Sequence, residues 1–207
     1  MTGQINMDSG LGWELFQLSY NDNYHNYVEV GTWNGEGSTF CLMQGIRERN
    51  DATLWSLESN RAFYDSAKEF WNTQSLTYNN LNLIYGRIVD IDKIFLKNEL
   101  REIGELNDTQ EIWYNNDVND YVNCKNVLSD LPKEIDVLLL DGGEFSTYFE
   151  FKLLEERSKI IAMDDVNFLK CKKIREELLV NENWKLLKED LNERNGYSIF
   201  IKVEKEY

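Results

Sequence analysis

Five short apolar runs alternate with helix-patterned stretches, and the chain then ends on two strand-like segments joined by a polar turn. This alternation predicts an open, mostly parallel sheet wrapped by helices, because parallel strands need a crossover between them. The runs lie at residues 27–30, 53–57, 81–85, 135–140 and 159–163. The fourth is close to continuously apolar, the pattern of a strand buried on both faces. Residues 12–20 read as a leading amphipathic helix, and 38–49, 62–71, 147–156 and 170–179 as helices between or after strands. Thr147 and Glu150 have the spacing of a capping box. Residues 184–191 and 197–203 flank Asn192-Glu193-Arg194-Asn195-Gly196 and predict an antiparallel hairpin. Residues 90–130 are less regular and rich in Asn and Asp; a helix or two and a substrate-side insertion are expected there. The expected fold class is α/β, a Rossmann-like seven-stranded sheet of five parallel βα units plus a C-terminal antiparallel hairpin, in a single domain.

At 207 residues the chain is long enough for one substantial core. Its net charge of −15 repels phosphate backbones and anionic lipid heads, so no nucleic-acid partner is expected. The same acidity also serves solubility. Cys41, Cys124 and Cys171 are scattered and form no C-x-x-C pair, which suits a reduced intracellular protein. No apolar run reaches transmembrane length, and the first residues lack a signal-peptide pattern. The expectation is a soluble cytoplasmic protein without membrane insertion, with a homo-oligomer left open.

Four acidic positions follow four of the predicted strands. The first belongs to Val28-Glu29-Val30-Gly31-Thr32-Trp33-Asn34-Gly35-Glu36-Gly37-Ser38, which runs from strand through turn into helix. Glycines there let a ligand approach the backbone, and the helix N-terminus offers N–H groups to an anion. The G-x-x-x-G-x-G spacing differs from the G-x-G-x-x-G of dinucleotide sites, which counts against a nicotinamide-dependent oxidoreductase. The second is Glu58, followed by Ser59, where a carboxylate can accept both hydroxyls of a ribose. The third is Asp141, in Leu140-Asp141-Gly142-Gly143-Glu144, and the fourth is Asp164-Asp165. Such strand ends share one crevice in a parallel sheet. Three carboxylates converging there would repel one another unless a cation sat between them, and all-oxygen ligation favours Mg²⁺, Mn²⁺ or Ca²⁺. The plainer alternative is that each aspartate caps a helix or solvates a loop.

Together these residues resemble the class I S-adenosylmethionine (SAM)-dependent methyltransferases, over most of the chain from Tyr27 onward. The resemblance implies that Glu29 and the turn Gly31, Thr32, Trp33, Gly35, Gly37 and Ser38 hold the methionine part of SAM. It implies that Glu58 and Ser59 take the ribose, that Gly86 and Arg87 lie near the adenine, and that Asp141 borders the cofactor. Asp141 with Asp164-Asp165 is similar to the divalent-cation set (Mg²⁺ or Mn²⁺) of metal-dependent O-methyltransferases acting on sugars or catechol-like diols. The closest resemblance is to the sugar- and glycan-modifying type, so a sugar or glycan hydroxyl is the implied acceptor. Those relatives often carry a histidine base three residues after the strand-four aspartate; here that position is Glu144, and the single histidine, His25, precedes strand one. Asp141 and Glu144 are therefore the implied catalytic pair. A catechol-like acceptor and a non-catalytic binding module remain the alternatives.

Overall fold

Among the described residues seven strands form one sheet: β1 (Asn26–Val30), β2 (Thr53–Glu58), β3 (Leu81–Tyr85), β4 (Ile135–Leu140), β5 (Ser158–Asp164), β6 (Trp184–Asp190) and β7 (Tyr197–Lys202). Their order is β3-β2-β1-β4-β5-β7-β6, with β1 to β5 parallel and β7 antiparallel to both neighbours. The computed structural model describes residues 5–74, 79–102, 104 and 106–203. Helices are α1 (Gly10–Tyr20), α2 (Ser38–Ile46), α3 (Arg61–Thr73), α4 (Lys97–Glu102), α5 (Asp108–Asn123), α6 (Thr147–Leu154) and α7 (Leu169–Val180). None of the described helices is long and apolar enough to cross a membrane. This is the Rossmann-like seven-stranded α/β fold expected from the alternation of runs and the terminal hairpin.

Side chains of a strand alternate between sheet faces, and β4 shows how that builds two cores. Val137 and Leu139 pack with Leu11 and Leu15 of α1 and with Leu42, Met43 and Ile46 of α2. Leu138 and Leu140 pack on the other face with Phe151 and Leu154 of α6 and with Ile174 and Leu178 of α7. Every residue of β4 is buried. Each fully buried leucine among them contributes about 1.5–3 kcal/mol, which is why this run tolerates no polar alternation on its apolar side. The one acid, Asp136, accepts from the backbone N–H of His25 and Asn26 and pairs with Lys159 at 2.6 Å.

Strand β1 pairs with β2 on one side and β4 on the other. The chain thus winds outward in one direction and then the other, and the crevice at that reversal lies beyond the C-terminal ends of β1 and β4. At the far edge the hairpin turn reaches back to the first helix: Glu193 accepts from Gly10 N–H with both oxygens at 2.9 Å. A carboxylate at a helix N-terminus is the favourable arrangement.

The expected capping box on α6 does not form. Ser146 stands at the N-cap with no side-chain cap bond, and Thr147 Oγ1 donates instead to the Gly143 carbonyl at 2.8 Å. Glu150 turns inward, where it is buried and accepts from Tyr121 Oη at 2.5 Å. A tertiary partner outcompeted the local one. A capping box is found on α5, between Asn107 and Gln110. The irregular stretch holds α4 and α5, as expected, and α5 comes to lie against the crevice. His25 is a surface residue whose ring lies 3.1 Å from Asp51.

Candidate functional site

Two strand ends meet at the turn after β1. Gly31 takes φ +99°, and a Cβ there would run into the Asp141 carbonyl, so only glycine lets the β1 and β4 ends come this close. Gly31 N–H and Thr32 N–H both donate to the Leu57 carbonyl at 3.0 Å, and Asp141 N–H donates to the Val30 carbonyl at 2.9 Å. Trp33 follows in the left-handed region at φ 51°, and its N–H donates to Glu58 Oε2 at 2.7 Å. A non-glycine residue there stores on the order of 1–3 kcal/mol of strain, and the Glu58 contact is one of the bonds that hold it.

Glu29 is fully buried and does not reach the crevice. Its Oε2 accepts from Ser56 Oγ at 2.5 Å and Thr39 Oγ1 at 2.7 Å, so it braces the turn from behind. Burial pushes its carboxyl up to about 7, against the nearby hydroxyls that oppose the rise. Thr32, Gly35, Gly37 and Ser38 likewise shape the turn without lining the cleft. Thr32 Oγ1 lies 2.6 Å from Ser56 Oγ, Gly35 (φ +79°) sits over the Trp71 indole, and Gly37 is the N-cap of α2.

The cleft itself is a crevice open to solvent. Of the residues implicated by sequence, Gly31, Trp33, Glu58, Ser59, Gly86, Arg87 and Asp141 line it. Glu58 is nearly buried; besides Trp33 N–H it accepts from Asn60 N–H at 2.8 Å. Burial raises its carboxyl to about 7, those two N–H groups oppose the rise, and Asp120 adds to it. The Arg87 guanidinium donates to the Cys124 carbonyl, which ties the β3 end to the segment after α5.

Helix α5 contributes Asp117, Asp120 and Tyr121 to the same wall, and α6 contributes Glu150. Sequence reasoning missed Asp117, Asp120 and Glu150; Tyr121, with Trp113 and Tyr114, is one of the aromatic residues of this stretch that the sequence offers as pocket lining or as core. The available signal was the spacing of residues 117, 120 and 121, which shares one helix face. Asp120 accepts from Asn60 Nδ2 at 3.0 Å. Asp117 is raised to about 7, first by burial and then by the charges of Asp120, Glu150 and Glu144. Of the aromatic residues in this stretch, Tyr121 is core, Tyr114 packs edge-on against Phe145, and Trp113 is half exposed.

A second cluster lies beside the cleft. Asp141, Asp164 and Asp165 each bring one carboxylate oxygen within 4.8 Å of the others, as the sequence suggested. Lys170, from the first turn of α7, stands among them with its Nζ 2.6 Å from Asp141 Oδ1 and 2.7 Å from Asp165 Oδ2. Arg194, from the hairpin turn, pairs with Asp164 at 2.9 Å, and Asn195 Nδ2 donates to Asp165 Oδ1 at 2.8 Å. Burial works against a charged Lys170, but Asp141 and Asp165 outweigh it and hold the ammonium protonated well above the ordinary lysine range. Glu144 lies at the same place, its Oε1 accepting from Lys170 N–H at 3.3 Å. The donor set suits a hard divalent ion by chemistry, yet two of its three carboxylates already hold an ammonium at contact distance, so the residues as arranged do not fit such an ion.

No protein-family model and no curated protein matches the chain. Solved structures do. A Podospora anserina methyltransferase with bound S-adenosylhomocysteine (SAH) is 14% identical, with 93% of this chain and 78% of that one covered at a TM-score of 0.62. A caffeoyl-CoA O-methyltransferase candidate from Staphylococcus aureus is 17% identical, covering 93% and 82% at 0.59. A Geobacter sulfurreducens methyltransferase is 13% identical, covering 97% and 82% at 0.57. At such identities the likeness is one of fold, on which function must be argued from the site.

Proposed function

We propose that this chain is a SAM-dependent O-methyltransferase whose acceptor is a hydroxyl of a sugar or glycan. The observation that carries the cofactor reading is Glu58: a nearly buried carboxylate at the end of β2, facing the cleft beside a glycine turn at the sheet's reversal point. Ribose hydroxyls are the ligand groups that such a carboxylate accepts from. The SAH-bound neighbour with the same fold supports the reading.

When bound, SAM supplies a methyl group on a positively charged sulfur, open to attack by an oxygen nucleophile. In this scheme Gly31 lets the methionine part approach the backbone, Glu58 fixes the ribose, and Gly86 and Arg87 border the base. The sulfonium is favoured by the acidic wall of Asp117, Asp120, Asp141 and Glu150. Glu144, just past Asp141, accepts the proton of the acceptor hydroxyl; general base catalysis of this kind contributes about 10²–10⁴-fold. The sugar assignment rests on the resemblance of the Asp141–Glu144 segment and on a wall rich in carboxylate acceptors for multiple hydroxyls.

Calorimetric titration with SAH, with NADH as control, tests the cofactor. Micromolar SAH binding with none for NADH supports the proposal, and no SAH binding overturns it in favour of a non-catalytic module. Methyl transfer from SAM to sugars and glycans, set against catechol-like phenols, then tests the acceptor. A Glu144→Gln variant that turned over its acceptor at the native rate would remove the base from the scheme.

A further inference from the structure

The acidic cluster at the ends of β4 and β5 carries its own cation. We propose that the Lys170 ammonium is the resident counter-ion of Asp141 and Asp165 and stands in the place of a divalent metal, so that the native chain holds no Mg²⁺ or Mn²⁺ there. Under the reading above, methyl transfer by this chain is then metal-independent; the cation assignment itself does not depend on that reading.

Three observations carry the assignment. The first is position: Nζ lies 2.6 and 2.7 Å from oxygens of two of the three carboxylates that would have to ligate an ion. An ammonium bonded to both carboxylates sits between them, where an ion chelated by the pair at about 2.0–2.1 Å would have to lie. The second is burial. The Lys170 side chain is 7% exposed, whereas its neighbours Lys172 and Lys173 are exposed. A buried ammonium is costly unless paired, and here it is paired twice. The third is charge. Lys170 and Arg194 bring two positive charges to three carboxylates, as many as one divalent ion would bring.

The supporting backbone is fixed as well. Asp165 and Arg194 both adopt left-handed φ values, 57° and 53°. Asn167 N–H donates to the Asn195 carbonyl at 3.0 Å and Val166 N–H to that of Gly196 at 3.1 Å, so the loop after β5 and the hairpin turn form one unit. Lys170 joins this unit to the β4 end through Asp141. It is thus a positioning residue, setting the edge of the cleft on which Asp141 lies.

The test is Mn²⁺ titration followed by the electron paramagnetic resonance signal of the free ion, on the full chain, Asp165→Asn, Lys170→Met and Lys170→Met/Asp165→Asn. The native chain is expected to match Asp165→Asn, with only weak uptake by its acidic surface. Lys170→Met is expected to gain one bound Mn²⁺ per chain, lost again in the double variant. A stoichiometric native site that Asp165→Asn removes overturns the proposal whatever the lysine variant does. So does a folded Lys170→Met, checked by circular dichroism, that gains no ion. Should Lys170→Met fail to fold, Lys170→Gln takes its place, and the native comparison with Asp165→Asn still decides. SAH titration is read separately, so loss of SAH binding with this metal pattern intact would sink the cofactor reading and leave the cation assignment standing.

Discussion

Replacing Glu58 with glutamine separates cofactor binding from folding. In the apo protein at pH 8, two effects oppose each other. Ionised Glu58 is disfavoured by burial; raising its carboxyl from 4.5 to about 7 costs the folded state about 3 kcal/mol once pH exceeds that value. Glutamine removes this cost. It also puts an NH₂ group against either Trp33 N–H or Asn60 N–H, both of which donate to Glu58. One buried N–H then loses its acceptor, at a cost of about 1–3 kcal/mol. Apo stability is therefore expected to change little. Binding is different, because bonds from ribose hydroxyls to a charged acceptor are worth about 1.5–3 kcal/mol each. Loss of the charge and one oxygen is expected to weaken SAH by about 2–4 kcal/mol, roughly 30- to 1,000-fold. The pH profile gives a second readout. Protonation removes an acceptor, so native SAH affinity should tighten as pH rises toward about 7 and then level off, while Glu58→Gln stays flat. Calorimetry on both proteins on either side of neutrality measures this, with thermal melts as the folding control. A variant that binds SAH like the native chain at pH 8, or a flat native profile, would refute the reasoning.

Gly31→Ala forces a Cβ into the Asp141 carbonyl at a φ of +99°. It should lower unfolding free energy in urea by about 2 kcal/mol or more and abolish SAH binding. Asp117→Asn should stabilise the chain, with a definite pH sign. A carboxyl raised from 3.8 to about 7 favours the folded state at low pH and loses that advantage as pH rises through about 7. The variant's gain should accordingly be about 1–2 kcal/mol near pH 5 and about 4 kcal/mol at pH 8, read from denaturation at both; a gain larger at the lower pH would contradict the origin in burial and neighbouring carboxylates.

The fold was legible because its signals are local and redundant. The buried run of β4 and the polar turn before Gly196 each specify an element without reference to distant residues. Boundaries were less so: the second helix ends at Ile46, short of the expected 49, because Arg49 turns back to donate to the carbonyls of Ser19, Asn21 and Tyr24. The strand-end acids were legible for a topological reason. In a parallel sheet the residue after each strand reaches one edge, so Glu58, Asp141, Asp164 and Asp165 can be placed from the order of elements alone. Glu29, read from its place before the glycine turn, is directed by the alternation along β1 toward Ser56 and Thr39.

What stayed hidden came from elements whose local pattern had a simpler explanation. Asp117 and Asp120 sit in a stretch with no clear apolar stripe, and Glu150 matched a capping box that its bond to Tyr121 displaced. Lys170 is the sharpest case. It belongs to Lys170-Cys171-Lys172-Lys173, a run that reads as a solvated helix face, and nothing in it marks the first lysine as the buried one. Only the pairing of β5 with β4 brings the start of α7 opposite Asp141. The sequence argument that three converging carboxylates require a cation was physically sound. Acids at strand ends advertise themselves by position, whereas the charges that answer them come from a helix and a hairpin turn. The requirement could be read from the chain, and the structure pairs these carboxylates with Lys170 and Arg194.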